Sequence, residues 1–157
     1  MKDAFTIDGL HVIGVESDSD QRLRWATWGI HSKRGMSIVL SLLSNTSNGI
    51  STLWTMKKND CYEPRLIRLT SWQYGQYPIV ALTFHYGSLA KQIEFYGIDT
   101  KNRPVILAKK FGEMIESSIN SKEEGLVKVY LKTNTHMTST CYQWNQKKYC
   151  IEKAQCE

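Results

Sequence analysis

The sequence predicts an all-β protein: one domain, built as an antiparallel sandwich or barrel-like sheet, with at most one short helix. Three observations carry this. Runs rich in β-branched and aromatic residues recur at spacings of about 8–12 residues, separated by polar turns bearing Gly, Asn and Ser. No segment holds helical periodicity over an ordinary helix length. The chain of 157 residues, 41% hydrophobic and 22% charged, is long enough for a core of its own and too apolar for wholesale disorder.

Taken in order, residues 1–9 read as a lead-in and Leu10–Val15 as a first short strand. Glu16-Ser-Asp-Ser-Asp20 is a polar turn. Its alternating acids resemble half of a calcium loop, but the glycine and the distal bidentate acid are missing, so no metal is expected there. Arg22–Ile30 is a second strand, His31–Gly35 a turn, and Met36–Leu43 a nearly continuous apolar strand. Asn48-Gly49 marks a tight turn into Ile50–Lys57, where Ile50, Thr52, Trp54 and Met56 share one face. Lys57–Glu63 reads as a loop and Arg65–Thr70 as a strand.

The most apolar stretch follows. Tyr77–Phe84 and Gln92–Tyr96 are two β-prone runs around the polar tip His85-Tyr86-Gly87-Ser88, so they read as a hairpin with Gly-Ser at its turn. Asp99–Arg103 is a turn before the strand Pro104–Ala108. In Lys109–Asn120 the residues Phe111, Met114, Ile115 and Ser118 fit helical spacing, which makes this the one candidate helix, weakened by Gly112. Ser117–Gly125 is polar, Leu126–Lys132 alternates as a strand, and Thr140–Glu152 closes the chain as a hairpin. No sequence repeat or linker divides the chain.

Four cysteines stand at 61, 141, 150 and 156, none at the two-residue spacing of a zinc ribbon or a redox pair. A hairpin centred on Asn145-Gln146 would set Cys141 opposite Cys150 on a non-hydrogen-bonded pair. There the Cα atoms approach to about 4.5 Å, inside the disulfide window. Cys61 and Cys156 remain as the second pair. Two disulfides point to the periplasm or another oxidising space, whereas four reduced cysteines would point to the cytosol. Met1-Lys2-Asp3 opens no apolar signal core, a start that also remains when a signal peptide has been removed.

Net charge is +5, which favours acidic partners. The basic residues are scattered, without a basic helix, zinc finger or arginine-rich arm, so nucleic acid is not expected. No run of about 18 apolar residues exists to insert in a membrane. His11, His31, His85 and His136 show no metal-ligand spacing, and neither a nucleophile elbow nor a phosphate-cradling loop is present. Glu113 and Glu116, three apart, read as a solvated face. An enzyme is not predicted, and neither a cofactor nor a metal.

Between Pro64 and Leu107 the chain resembles bacterial periplasmic proteins related to integrin-alpha-type (FG-GAP-like) sequences. The resemblance is carried by Tyr77-Pro-Ile-Val-Ala-Leu-Thr-Phe84, Tyr86-Gly-Ser-Leu-Ala-Lys91 and Ile93-Glu-Phe-Tyr96, with Trp144 and Tyr149 echoing a late aromatic hairpin. It departs from them at Ser71–Gln76, which carries no acid where an Asp-rich calcium loop would stand, so calcium is not carried over. Some proteins of this look are immunity proteins or lysozyme inhibitors. The resemblance thus implies an inhibitor that plugs the active-site cleft of a secreted toxin or peptidoglycan hydrolase through His85, Tyr86, Ser88 and Lys91. Two other readings stay open. One is a glycan- or peptidoglycan-binding module with Trp25, Trp28, Trp54 and Trp72 as a stacking platform. The other is a hydrolase assembled from distant residues.

Overall fold

The computed structural model describes residues 10–17, 22–33, 35–75, 77–86, 90–112, 115–119, 127–132 and 137–155. These form twelve strands and no helix. The first sheet holds β1 (Leu10–Ser17), β2 (Leu23–Ser32), β3 (Gly35–Thr46) and β4 (Gly49–Asn59). The middle sheet holds β5 (Cys61–Tyr74), β6 (Tyr77–Tyr86), β7 (Ala90–Ile98) and β8 (Pro104–Gly112). The last holds β9 (Ile115–Ile119), β10 (Val127–Lys132), β11 (Met137–Asn145) and β12 (Cys150–Ala154). Within each sheet every strand pairs with its neighbour in sequence, and all the pairings are antiparallel. A four-stranded meander is therefore repeated three times, although the sequence repeats nothing.

The sheets stack because alternation along each strand supplies an apolar face. Trp25, Ile38, Leu40 and Leu42 of the first sheet meet Val80, Leu82, Phe84, Tyr96 and Ile98 of the middle one. On the opposite face Leu69, Trp72, Ile79, Ala81, Ile93 and Phe95 meet Val129 and Tyr142 of the last sheet. Strand β6 is accordingly buried on both faces from Ile79 to Phe84, which explains why this stretch reads as a continuous apolar run. The expected hairpin is β6–β7, with Val80↔Tyr96, Thr83↔Ile93 and Tyr86↔Ala90 in register.

Three expectations need correction. The candidate helix at Lys109–Asn120 is strand: β8 runs on to Gly112 and β9 spans Ile115–Ile119. Cross-strand pairing of Lys109 with Glu94 on β7, and an ion pair between their side chains, override a weak helical pattern. Lys57–Glu63 is not a loop either. Strand β4 extends to Asn59, Asp60 turns the chain at φ 56, and Cys61 is already the buried first residue of β5.

Neither expected disulfide exists, since Cys61 and Cys150 are free thiols. The last hairpin closes with Asn145 opposite Cys150, so Cys141 faces Ala154. The cause is local: Asn145 Oδ1 accepts from the backbone N–H of both Lys147 and Lys148, each at 3.0 Å. This side-chain cap makes a four-residue turn where a two-residue turn was expected, and shifts the register. Cys141 is disulfide-bonded; Cys156 lies outside the described residues.

Candidate functional site

The middle sheet has two candidate ends, at opposite limits of β6. At the first, Tyr62 pairs with His85, His85 with Lys91, and Tyr86 with both Cys61 and Ala90. The rings of Tyr62 and His85 stack with centroids 5.0 Å apart and planes 7° from parallel. His85 Nε2 lies 3.2 Å from Glu63 Oε2. Glu63 occupies the left-handed region at φ 51, within a bulge between Tyr62 and Arg65. Pro64, which has no N–H to donate, sits in that bulge. Tyr86 is 57% exposed. Three of the four sequence-predicted contact residues, His85, Tyr86 and Lys91, are thus brought together on neighbouring strand positions. Ser88 lies outside the described residues.

At the opposite end an open cleft of about 470 Å³ is lined by Tyr74, Gly75, Tyr77, Ile98, Asp99, Thr100 and Tyr149. Three turns build it. The β5–β6 turn carries Tyr74, Gly75 and Tyr77. The β7–β8 turn is ordered by Asp99, whose Oδ1 accepts from the backbone N–H of Lys101 (2.8 Å) and Arg103 (2.9 Å), while Oδ2 accepts from Arg103 Nε at 3.0 Å. The Arg103 backbone N–H above all, then those of Lys101 and the guanidinium, hold the Asp99 carboxyl below its ordinary range. Tyr77 Oη donates to Asn102 Oδ1 at 3.4 Å.

The third turn, β11–β12, delivers Tyr149 at φ 50 and 54% exposed. Its ring lies 5.4 Å from that of Tyr74 and 6.4 Å from that of Trp144, and Tyr74 lies 6.0 Å from Trp144. The Trp144 indole N–H donates to Gln146 Oε1 at 2.7 Å, fixing that ring as well. Gly97 makes room behind Tyr74: a Cβ there would meet Tyr74 Cβ and Cγ at 3.0 Å.

A third polar feature is sealed. Glu94, wholly buried, meets Lys58 Nζ at 2.9 Å, Lys109 Nζ at 3.7 Å and the Tyr96 hydroxyl at 3.3 Å. Burial, then the Glu94 carboxylate, pushes the Tyr96 phenol well above its ordinary range. Burial likewise raises the Cys61 thiol, helped by Asp60 and Glu94 and opposed by Lys58. With Glu94 wholly buried, this cluster ties the first sheet to the middle one. Among the described residues no His, Cys, Asp or Glu cluster is arranged to hold a metal ion.

The expected tryptophan platform does not form. Trp25 is buried in the core between the first and middle sheets, with Trp54 packed edge-on at 6.4 Å, whereas Trp72 is buried in the other core. Opposite faces of one sheet cannot present one stacking surface. Sequence reasoning missed Tyr74, Asp99 and Tyr149. The signal available for them was the Asp99–Arg103 turn and the aromatic density around Trp144 and Tyr149.

The chain matches no family model, and no curated protein or solved structure matches it.

Proposed function

We propose that this protein is a non-catalytic inhibitor of the bacterial envelope, an immunity-type protein whose β6–β7 hairpin end occludes the active site of a secreted toxin or peptidoglycan hydrolase. The observation that carries the reading is the hairpin end itself: His85 stacks on Tyr62 and pairs with Lys91, while the next residue, Tyr86, is exposed at the end of the strand, where alternation sets it on the other face. Aromatic side chains of this kind anchor specific interfaces. The stack and the Glu63 contact hold the Tyr62 and His85 rings, which limits the conformational entropy those two side chains lose on docking. A net charge of +5 favours approach to a cleft whose catalytic carboxylates are negative. An oxidising compartment such as the periplasm fits the disulfide at Cys141.

The test is capture of partners from secreted and envelope fractions, followed by titration of the partner identified. A toxin or cell-wall hydrolase held at roughly nanomolar affinity and silenced at one-to-one stoichiometry is the expected result. Tyr86→Ala combined with Lys91→Glu should weaken that complex by about a hundredfold or more while leaving the melting temperature nearly unchanged. A partner bound equally well by the double variant would overturn the reading.

A further inference from the structure

We infer that the cleft at the other end of the middle sheet is a binding site for a neutral saccharide. Its volume, about 470 Å³, falls within the range of small-ligand sites. A pyranose has an apolar C–H face and a rim of hydroxyls, so it needs an aromatic surface with polar groups at its edge. The cleft offers both: Tyr74 and Tyr149 supply ring surface, and the hydroxyl-bearing residues Tyr77 and Thr100 belong to its lining. A cation is disfavoured, because Asp99 is the one carboxylate among the lining residues and already accepts three hydrogen bonds from Lys101 and Arg103. An anion is disfavoured by that same carboxylate, which those bonds keep ionised. A neutral polyol with one apolar face remains.

The site is also prearranged. Asn145 caps the turn that carries Tyr149, and Tyr149 takes the left-handed conformation that side-chain-bearing residues rarely adopt. It lies far from the hairpin end. Tyr77 and Tyr86 bound the same strand, about 30 Å apart at the rise of an extended chain. Occupation of one end therefore leaves the other open, and the two sites are tested independently.

The experiment is titration of the full chain with chitotetraose, cellotetraose and maltotetraose, and in parallel with a proline-rich peptide, the other ligand class that aromatic grooves accept. Tyr149→Gly is the decisive variant, since glycine adopts φ 50 without strain. It removes the ring, and the relief of backbone strain offsets part of the lost contact with Tyr74 and Trp144, so the fold should be kept. The expected result is saturable binding of at least one oligosaccharide, weakened about tenfold or more by Tyr149→Gly and unaffected by Tyr86→Ala. The inference is overturned if none of the three sugars binds up to about 10 mM, well above the dissociation constants of ordinary specific sites. It is equally overturned if Tyr149→Gly binds as the parent does, or if only the peptide binds.

Discussion

Lys58 Nζ sits 2.9 Å from Glu94 Oε1, so a cation on the last strand of the first sheet is joined to a carboxylate in the middle of the next. Lys109 reaches the other oxygen of the same carboxylate from β8 at 3.7 Å. Breaking a buried pair by removing one partner leaves an uncompensated charge, whereas replacing both by apolar groups can be neutral. Lys109 and the Tyr96 hydroxyl still face the carboxylate when Lys58 is lost, so Lys58→Met should destabilise the fold by about 1–3 kcal/mol, below the full cost of a bare buried charge. The double variant Lys58→Met with Glu94→Leu should recover most of that loss. Urea unfolding of both proteins checks the sign; a double variant less stable than the single one contradicts it.

Tyr96 makes the same interface sensitive to alkali. Its folded-state pKa is raised above the ordinary phenol value of 10.0, chiefly by burial and then by Glu94. Above about pH 10 the unfolded chain loses this proton while the native state keeps it, so stability falls as pH rises. The contribution is fully present below the ordinary phenol value and is lost as pH climbs towards the folded one. Tyr96→Phe should flatten this alkaline decline. At neutral pH it should cost about 1–2 kcal/mol, because Glu94 loses a hydrogen-bond donor. Melting temperatures across alkaline pH would show both effects.

Gly97 controls the back wall of the cleft. A Cβ at this position would lie 3.0 Å from Tyr74 Cβ and Cγ, atoms too close to the backbone to swing aside. Gly97→Ala should lose about 1–3 kcal/mol, the usual range for overpacking, and should disturb Tyr74. Aromatic proton shifts of Tyr74, Trp144 and Tyr149 would report the displacement, and their staying unchanged would refute it.

The two free thiols should differ in reactivity. Cys61 is buried, and burial raises its pKa, whereas Cys150 is half-buried on the closing hairpin. A thiolate-directed reagent should label Cys150 first in the native protein and Cys61 only on unfolding. Peptide mapping of the labelled protein settles the order. Labelling of neither residue after denaturation would restore the pairings expected from sequence.

Much of the strand pattern was legible because alternation and turn chemistry act over a few residues. Tyr77–Phe84 and Gln92–Tyr96 announced β6 and β7, and Asn48-Gly49 the β3–β4 turn. What failed depended on partners distant in sequence or on one side chain's choice of hydrogen bond. Lys109 is held in a strand by Glu94 on β7, which no local periodicity reveals. The Asn145 cap moved Cys141 from Cys150 to Ala154, and a register error of this kind redirects every pairing beyond it. The hairpin end was readable as two β-prone runs around a polar tip. The cleft was not, because Tyr74, Asp99 and Tyr149 come from three separate turns.

The winding of each sheet in sequence order, with the middle one covered on both faces, also sets how the molecule comes apart. Strand partners are chain neighbours throughout, so each meander closes over short loops and assembles quickly. The outer sheets can each open by uncovering one core while the other persists. The middle sheet is exposed only when both are gone. Its β6 amides should exchange with solvent by global unfolding, and those of the outer sheets through smaller openings.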